Sequence, residues 1–425
     1  MIRSRLARAA AIAVLAVGAG LVTSALPASA VGLWSFVGTV TDPFGTPIAG
    51  AVVGDGSQQA TTDAQGHYVL AENTPSIYTL TAQAAHHAAR TKRVSGGPTD
   101  TTVDFDLPYL IGGSLADPDI STAGGPASEA LTITDWAPAS GSCITVTDSR
   151  TDQASPAALS GTNPDGSSTW SWTLSAPQGS AEGDYSLTMS ATRCSDGLAQ
   201  TDPGTTYYTI DNTPPQVSQP TPTGSVSTQS ITVGAVVTDT LSGPSPELST
   251  FSVDGQVLAH PYSYDQASDV LSAPAGALGP GAHQVQLTAS DWAGNTTTLS
   301  WSFTVDRSPP TFTNPSPTGS VATPTPLISV QAFDDTALAP STATIEIAPY
   351  PLSGSSACAL PASLDPATGE ITYQVPSAPA GPCPGEAPLP PGTYVAEVSV
   401  ADAAGNVASL TWSFTVSADP SLPAL

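Results

Sequence analysis

The chain has 425 residues and a formal net charge of −26 at pH 7, from 35 acidic and nine basic residues. A surface this acidic repels a phosphate backbone, which argues against nucleic acid as a partner. Only 10% of the residues are charged, and after residue 30 no apolar run is long enough to span a bilayer.

The N-terminal segment 1–30 has the pattern of a secretory signal peptide. Three arginines precede an Ala/Val/Leu run that closes on the small residues Ala28-Ser29-Ala30, as a signal peptidase requires. Cleavage leaves six basic residues against 35 acidic ones, a formal charge near −29. We therefore expect a secreted, extracellular protein that uses the general secretory route and is released or retained non-covalently at the cell surface.

Residues 31–109 alternate short strand patterns with Gly and Pro turns. The strand-forming runs lie at 38–42, 51–53, 67–70, 78–82 and 103–107. Together with the tight turn Asp63-Ala64-Gln65-Gly66, they resemble a carboxypeptidase regulatory-like domain. The resemblance implies a small transthyretin-like β-sandwich without chemistry of its own. Ala85-His86-His87 departs from the Gly-Tyr pair that is usual in that family.

Residues 110–213 contain a strand in which Tyr185, Leu187, Met189 and Ala191 share one face. Cys143 and Cys194 lie in the same unit, and paired cysteines in an exported chain predict a disulfide. Cys194 falls out of phase with the apolar face of its strand. We therefore expect the bridge at the rim of the unit and not in its core.

Residues 214–308 and 309–417 are two copies of one unit. The fifteen residues 291–305 recur as 402–416 with ten identical positions. In each copy, apolar residues alternate with polar ones on both arms of a turn, which predicts a β-hairpin with one buried face. A Pro-Pro pair opens each copy, and such pairs stiffen a connection between domains.

Units of this length, closing on a hairpin and a Pro-Pro junction, resemble bacterial immunoglobulin-like domains. The resemblance implies an antiparallel Greek-key sandwich for each of the three units after residue 109, and a cell-surface or extracellular role. The predicted fold class is all-β: one carboxypeptidase regulatory-like sandwich and three immunoglobulin-like sandwiches in tandem, a monomeric rod. The predicted segments are 1–30 (signal peptide), 31–109, 110–213, 214–308, 309–417 and 418–425 (tail).

Cys358 and Cys383 form the second predicted disulfide. They lie where the last unit is longer than its neighbour, between a strand that ends near Ile347 and a hairpin that begins near Tyr394. The bridge would tether a Pro-rich insertion, the least regular surface segment of the chain.

The chain offers no pattern for catalysis or for a resident metal. None of its five histidines is followed three residues later by Glu, so the zinc-peptidase spacing is absent. Gly112-Gly113-Ser114-Leu115-Ala116 lacks the final Gly of a nucleophile elbow. Neighbours such as His86-His87 in a strand point to opposite faces, and Asp334-Asp335 has no predicted helix or barrel around it. No catalytic, cofactor-binding or metal-binding residue is predicted.

Two surface features leave alternatives open. Trp292 occupies the hairpin turn where the sister repeat has Ala403, so it either stacks on a sugar ring or an apolar partner, or packs at an edge. Asp291 with Asn295, and Asp402 with Asn406, either supply oxygen ligands to calcium or cap a tight turn. The chain's single lysine, Lys92, excludes Lys-based isopeptide crosslinks in the last three units.

The sequence thus predicts a non-catalytic extracellular protein for adhesion or binding, with a glycan, the cell envelope or an extracellular protein as its partner. The alternative is an architectural spacer or accessory subunit for a separate secreted enzyme. Trp292 and the tethered insertion favour binding, whereas a smooth Ser/Thr surface without an aromatic patch favours the spacer.

Overall fold

The computed structural model describes residues 34–72, 76–97, 99–138, 142–350 and 358–417. Within these residues the regular elements are β-strands, apart from one short 3-10 helix at Pro340–Thr342. The predicted signal peptide and tail lie outside the described residues. No helix in the described part of the chain has the length and apolar character needed to cross a membrane.

The chain divides into two compact units. The first contains the residues up to 213 together with 240–242 and 292–295; the second contains 214–239, 243–291 and the residues from 296 onward. Four hydrophobic clusters lie along the described residues, each between the two sheets of one sandwich. The predicted class of tandem β-sandwiches is confirmed.

The first sandwich has two four-stranded sheets. Its strands are β1 (Trp34–Thr41), β2 (Val52–Gly54), β3 (Gln59–Thr61), β4 (His67–Glu72), β5 (Ile77–Gln83), β6 (Arg90–Ser95), β7 (Thr101–Thr102) and β8 (Phe105–Asp106). One sheet has the order β4-β1-β7, with β8 also on β1, and the other has the order β3-β2-β5-β6. At Gly38, between the β7 and β8 pairings, a Cβ would lie 2.1 Å from the Val103 carbonyl oxygen, so only glycine fits there.

The second sandwich has nine strands in two sheets. They are β9 (Ile111–Leu115), β10 (Asp119–Ile120), β11 (Ala127–Asp135), β12 (Ser142–Asp148), β13 (Gln153–Pro156), β14 (Ala158–Thr162), β15 (Ser168–Ala176), β16 (Gly183–Arg193) and β17 (Gly204–Ile210). The sheet orders are β14-β15-β11-β9 and β10-β17-β16-β12-β13. Leu187, Met189 and Ala191 of β16 are buried, as the alternation predicts.

The third and fourth sandwiches also have nine strands each. The third contains β18 (Gln216–Thr221), β19 (Gly224–Val226), β20 (Ile231–Thr238), β21 (Pro244–Val253), β22 (Gln256–Val257), β23 (Ser263–Asp265), β24 (Val270–Gly276), β25 (Gly281–Asp291) and β26 (Thr296–Val305). The fourth contains β27 (Thr311–Ser316), β28 (Gly319–Val321), β29 (Leu327–Phe333), β30 (Thr344–Pro349), β31 (Leu360–Pro361), β32 (Ser363–Asp365), β33 (Glu370–Gln374), β34 (Gly392–Ala401) and β35 (Val407–Val416).

The last three sandwiches share one five-stranded sheet topology. The orders β10-β17-β16-β12-β13, β19-β26-β25-β21-β22 and β28-β35-β34-β30-β31 correspond strand for strand. In each sheet the short edge strand (β10, β19 or β28) runs parallel to the last strand of its sandwich. The prediction of antiparallel sheets did not include this parallel edge. The second sandwich therefore has the same architecture as the two repeats.

Both predicted hairpins form, and their registers correspond. Val285 pairs with Trp301 in the third sandwich, and Ala396 pairs with Trp412 in the fourth. Val285 and Ala396 are fully buried, because period-two alternation sends every second side chain toward the core.

Candidate functional site

Three carboxylates meet at the start of the fourth sandwich. Asp306 follows β26, and Asp334 and Asp335 follow β29; one ligand oxygen from each lies within 4.8 Å of the others. Asp306 is 3% exposed, and its Oδ2 accepts a hydrogen bond from Thr336 Oγ1 at 2.7 Å. Calcium takes about six to eight oxygen ligands, so this set is incomplete for it and is not by itself evidence of a bound ion.

The hairpin turn at 402–406 lies beside that cluster. Asp402 Oδ1 accepts hydrogen bonds from the backbone N–H groups of Ala404 at 2.8 Å and Asn406 at 2.9 Å, and its Oδ2 accepts one from Asn406 Nδ2 at 2.7 Å. The Asn406 amide also donates to the Asp306 carbonyl at 3.1 Å. The hydrogen bonds to Asp402 are those of a capped turn. The bond from Asn406 to Asp306 connects the turn to the segment that leads into the fourth sandwich.

Trp292, the predicted ligand-binding residue, is partly buried in the described structure. Its turn belongs to the first unit. Within that unit the Asn295 amide donates to the Asp211 carbonyl at 2.9 Å, and Ser121 Oγ donates to Asn295 Oδ1 at 2.6 Å. The turn is thus fixed by hydrogen bonds, and Trp292 offers only part of its ring to a ligand.

The Pro-rich insertion of the fourth sandwich is tethered as the sequence predicts. Cys358 and Cys383 form a disulfide with a Cα–Cα distance of 5.8 Å. The Glu386 carboxylate accepts a hydrogen bond from Cys383 N at 2.9 Å. Leu389 is 3% exposed, and its N–H donates to the Pro324 carbonyl at 2.8 Å. Residues 375–391, here called the stapled segment, are therefore anchored at both the bridge and the core.

The other disulfide joins Cys143 of β12 to Cys194, which follows β16, with a Cα–Cα distance of 5.2 Å. Both cysteines are exposed. The bridge lies at the rim of the second sandwich, which confirms the expectation drawn from the phase of Cys194.

Aromatic rings hold the first sandwich against the second inside the first unit. His86 has a left-handed φ of 65°, and its ring stacks on Trp136 with centroids 3.7 Å apart. The His86 carbonyl accepts a hydrogen bond from Leu110 N at 2.9 Å. A side chain at such a φ costs conformational energy, which these contacts with the second sandwich offset at His86.

A second set of contacts at this joint surrounds Tyr109. Its hydroxyl donates to Asp42 Oδ2 at 2.9 Å, its ring lies 4.4 Å from that of His87, and its N–H donates to the Gln200 carbonyl at 2.9 Å. Burial lowers the pKa of His87. Sequence reasoning missed this joint; the signal was the cluster of His86, His87 and Tyr109 near the end of the first sandwich.

The carboxylate–imidazole pair of the third sandwich does not form catalytic machinery. His283 Nδ1 lies 2.7 Å from Asp254 Oδ2, and Nε2 lies 2.8 Å from the Gly279 carbonyl oxygen. Asp254 raises the pKa of His283 through this hydrogen bond. Both ring nitrogens are engaged, so neither is available to take a proton from a nucleophile.

Residues 35–108 match the family model of the carboxypeptidase regulatory-like domain, and residues 221–307 and 334–418 match that of the bacterial Ig-like domain. Both predicted resemblances are confirmed. Neither is a catalytic family, and residues 110–213 lie outside both matches. The comparison with curated proteins found no match.

Solved structures of tandem β domains are similar to the chain at low identity. Four tandem repeats from the extending region of a large adhesion protein are 17% identical, cover 91% of this chain and 100% of their own, and give a TM-score of 0.26. Part of a 1.5-MDa bacterial ice-binding adhesin is 18% identical, with coverages of 73% and 99% and a TM-score of 0.25. The fibronectin(III)-like modules of Clostridium thermocellum CbhA are 20% identical, with coverages of 46% and 94% and a TM-score of 0.29. At these values the similarities carry no inference about ligand or activity.

Proposed function

We propose that this chain is a secreted, non-catalytic multidomain protein that mediates extracellular adhesion or binding, and that the stapled segment presents its ligand-binding surface. The observation that carries the proposal is the double anchoring of this segment by the disulfide and by buried Leu389. An insertion held in one conformation loses little entropy when it binds.

The middle of the stapled segment is also fixed. Gly385 has a φ of +94°, and a Cβ there would lie 3.0 Å from side-chain atoms of Ile347 and Leu360. The Tyr373 hydroxyl donates to the Gly385 carbonyl at 3.1 Å. Packing and hydrogen bonding therefore define the backbone path between the bridge and Leu389.

The ligand class that we favour is a neutral glycan or another component of the cell envelope. The chain's formal charge of −26 repels anionic polymers, whereas an uncharged polysaccharide meets no such barrier. The two disulfides agree with an oxidising, extracellular location. Export through the general secretory route is part of the proposal.

The second candidate is an architectural spacer, or an accessory subunit for a separate secreted enzyme. The partial burial of Trp292 favours it. So does the hydroxyl-rich outer face of the third sandwich, where Thr288 and Thr298 meet across the hairpin with their Oγ1 atoms 3.3 Å apart.

Co-sedimentation of residues 31–425 with insoluble polysaccharides and isolated bacterial cell walls tests the proposal. We expect saturable pelleting with one material and its loss in the double variant Cys358→Ser/Cys383→Ser. The matched control is Cys143→Ser/Cys194→Ser, which leaves the stapled segment intact and should pellet normally. Trp292→Ala tests whether the Trp292 ring contributes to pelleting. Pelleting with no material would favour the spacer.

A further inference from the structure

The last three sandwiches share a corner at the start of one long strand. The third residue of β16, β25 and β34 is a ring that lies opposite an aromatic residue of the next strand. A polar atom of this ring bonds the carbonyl oxygen four residues earlier in the chain. The three residues are Tyr185, His283 and Tyr394. This is the arrangement of the tyrosine corner of β-sandwiches, in which a hydroxyl binds back to the backbone a few residues upstream.

The third sandwich has a histidine at this corner where the other two have a tyrosine. The Tyr185 and Tyr394 hydroxyls donate to their carbonyl oxygens at 3.0 Å and 2.8 Å. His283 Nε2 lies 2.8 Å from the Gly279 carbonyl oxygen. A carbonyl oxygen only accepts hydrogen bonds, so the bond at this corner requires a proton on Nε2.

The other nitrogen of the His283 ring also faces an acceptor. His283 Nδ1 lies 2.7 Å from Asp254 Oδ2, and Asp254 Oδ1 accepts a hydrogen bond from Gln284 N at 2.9 Å. The bonds from Gln284 and His283 lower the pKa of Asp254, so this carboxylate is ionised at neutral pH and only accepts. A neutral imidazole has one N–H and would turn a lone pair toward one of its two acceptors, whereas the imidazolium donates to both.

The charges around the ring favour the imidazolium. Asp254, in the turn between β21 and β22, raises the pKa of His283, while burial and the positive charge of Arg307, after β26, lower it. The contribution of Asp254 is the largest, and the pKa of His283 is raised. From β26 the ring meets the apolar Phe303, with centroids 5.6 Å apart.

We propose that His283 is a pH-sensitive corner of the third sandwich, an imidazolium that donates to both Asp254 and Gly279. The stability that this corner provides is fully present below the ordinary imidazole pKa of about 6.5. It is lost as the pH rises through the raised pKa of the folded protein. A tyrosine hydroxyl does not titrate near neutral pH, so the corners at Tyr185 and Tyr394 keep their bonds over the same range.

Nitrogen NMR of the histidine rings in the full chain tests the charge state, with His283→Tyr to assign the His283 signals. At about pH 6.5, where an ordinary histidine is half neutral, we expect both His283 nitrogens to be predominantly protonated. The titration midpoint should fall in Asp254→Asn. The control is Asp265→Asn, which removes a carboxylate from another turn of the same sandwich and should leave the midpoint unchanged. A midpoint at or below the ordinary value, or one that Asp254→Asn does not lower, would overturn the inference.

Hydrogen exchange, corrected for the intrinsic effect of pH, tests the consequence for stability. The reporters are the amides of the β25–β26 ladder, and the references are those of the β34–β35 ladder, whose corner is Tyr394. As the pH rises through the His283 midpoint, reporter protection should fall tenfold for each unit by which that midpoint exceeds about 6.5. The references should not change, and His283→Tyr should abolish the fall. No fall in the wild type, or an equal fall in the references or in His283→Tyr, would overturn the inference.

Discussion

Arg90 and Asp202 are 112 residues apart in the sequence and form a two-point ion pair inside the first unit, with Arg90 Nη1 2.6 Å from Asp202 Oδ2. The pair lies where the segment between β16 and β17 meets the first sandwich. Their side chains are 40% and 43% exposed. Water and salt therefore screen the pair, and its geometry matters more for orientation than for stability.

Arg90→Gln should lower the free energy of unfolding by no more than about 1 kcal/mol, because exposed ion pairs contribute little. Urea unfolding at low salt and at about 1 M NaCl measures this, and the difference between variant and wild type should shrink at high salt. A loss above about 2 kcal/mol that persists in salt would contradict the expectation and indicate a desolvated pair.

Tyr208 supports a buried carboxylate in the second sandwich. Tyr208 is 1% exposed and Asp148 is 4% exposed; the hydroxyl donates to Asp148 Oδ1 at 2.7 Å and accepts a bond from Arg150 Nε at 3.2 Å. Tyr208→Phe should cost about 1–3 kcal/mol, because the buried Oδ1 of Asp148 loses one of its two donors and keeps only the Arg150 N–H.

Tyr207 supplies the matched control for that substitution. It is the neighbouring residue on β17 and is 58% exposed, so Tyr207→Phe should change stability by less than about 0.5 kcal/mol. Chemical unfolding of both variants gives the comparison. An equal loss of stability in the two variants would show that the Tyr208–Asp148 hydrogen bond contributes no more to stability than the exposed Tyr207 hydroxyl does.

Local alternation was sufficient to predict the strands that face a core, because period two is a property of neighbouring residues. It predicted the hairpin in which Val285 pairs with Trp301. It did not predict that Gly224–Val226 and Gly319–Val321 would run parallel to the last strand of each repeat. A pairing between strands so distant in sequence leaves no local pattern.

The same limit applies to the candidate sites. The sequence drew attention to Asp334-Asp335, but only the fold brings Asp306 beside them. It also noted that Ala85-His86-His87 departs from the Gly-Tyr pair of the family, whereas only the fold shows that Trp136 of the second sandwich stacks on His86. The disulfides were predictable because each cysteine pair lies within one unit.

Asp135 makes the stability of the second sandwich depend on pH. It is fully buried; its Oδ1 accepts a bond from Ala137 N at 3.0 Å, and its Oδ2 has no partner among the described residues. Burial raises the pKa of Asp135 to about 6. The folded state therefore binds this proton more tightly than the unfolded state, whose pKa is about 3.9.

For a carboxyl group with a raised pKa, stability is greatest below about pH 4, falls as the pH rises from about 4 to 6, and is constant above that range. Asp135→Asn cannot ionise. The stability of the variant relative to wild type should therefore increase by about 2–3 kcal/mol between pH 4 and pH 7. Urea unfolding across this range is the measurement, and a pH-independent difference would contradict it.

Asp402 fixes the turn that leads into β35. Its Oδ1 accepts hydrogen bonds from the N–H groups of Ala404 at 2.8 Å and Asn406 at 2.9 Å. Asp402 is only 2% exposed. Asp402→Ala should cost about 1–3 kcal/mol, because two partly buried N–H groups lose their charged acceptor. Asp365 caps an exposed turn through Ala367 N at 2.9 Å, so Asp365→Ala should cost less than about 1 kcal/mol.

Calcium distinguishes the two interpretations of this turn. If Asp402 acts as a cap, the cost of Asp402→Ala is the same in EDTA and in millimolar calcium chloride, because a hydrogen-bonded cap needs no ion. If calcium binds with Asp402 as a ligand, calcium stabilises the wild type and the variant loses that increment. Hydrogen bonds from Ala404 and Asn406 already engage both carboxylate oxygens of Asp402, so we expect equal costs in both solutions, measured by chemical unfolding of the full chain.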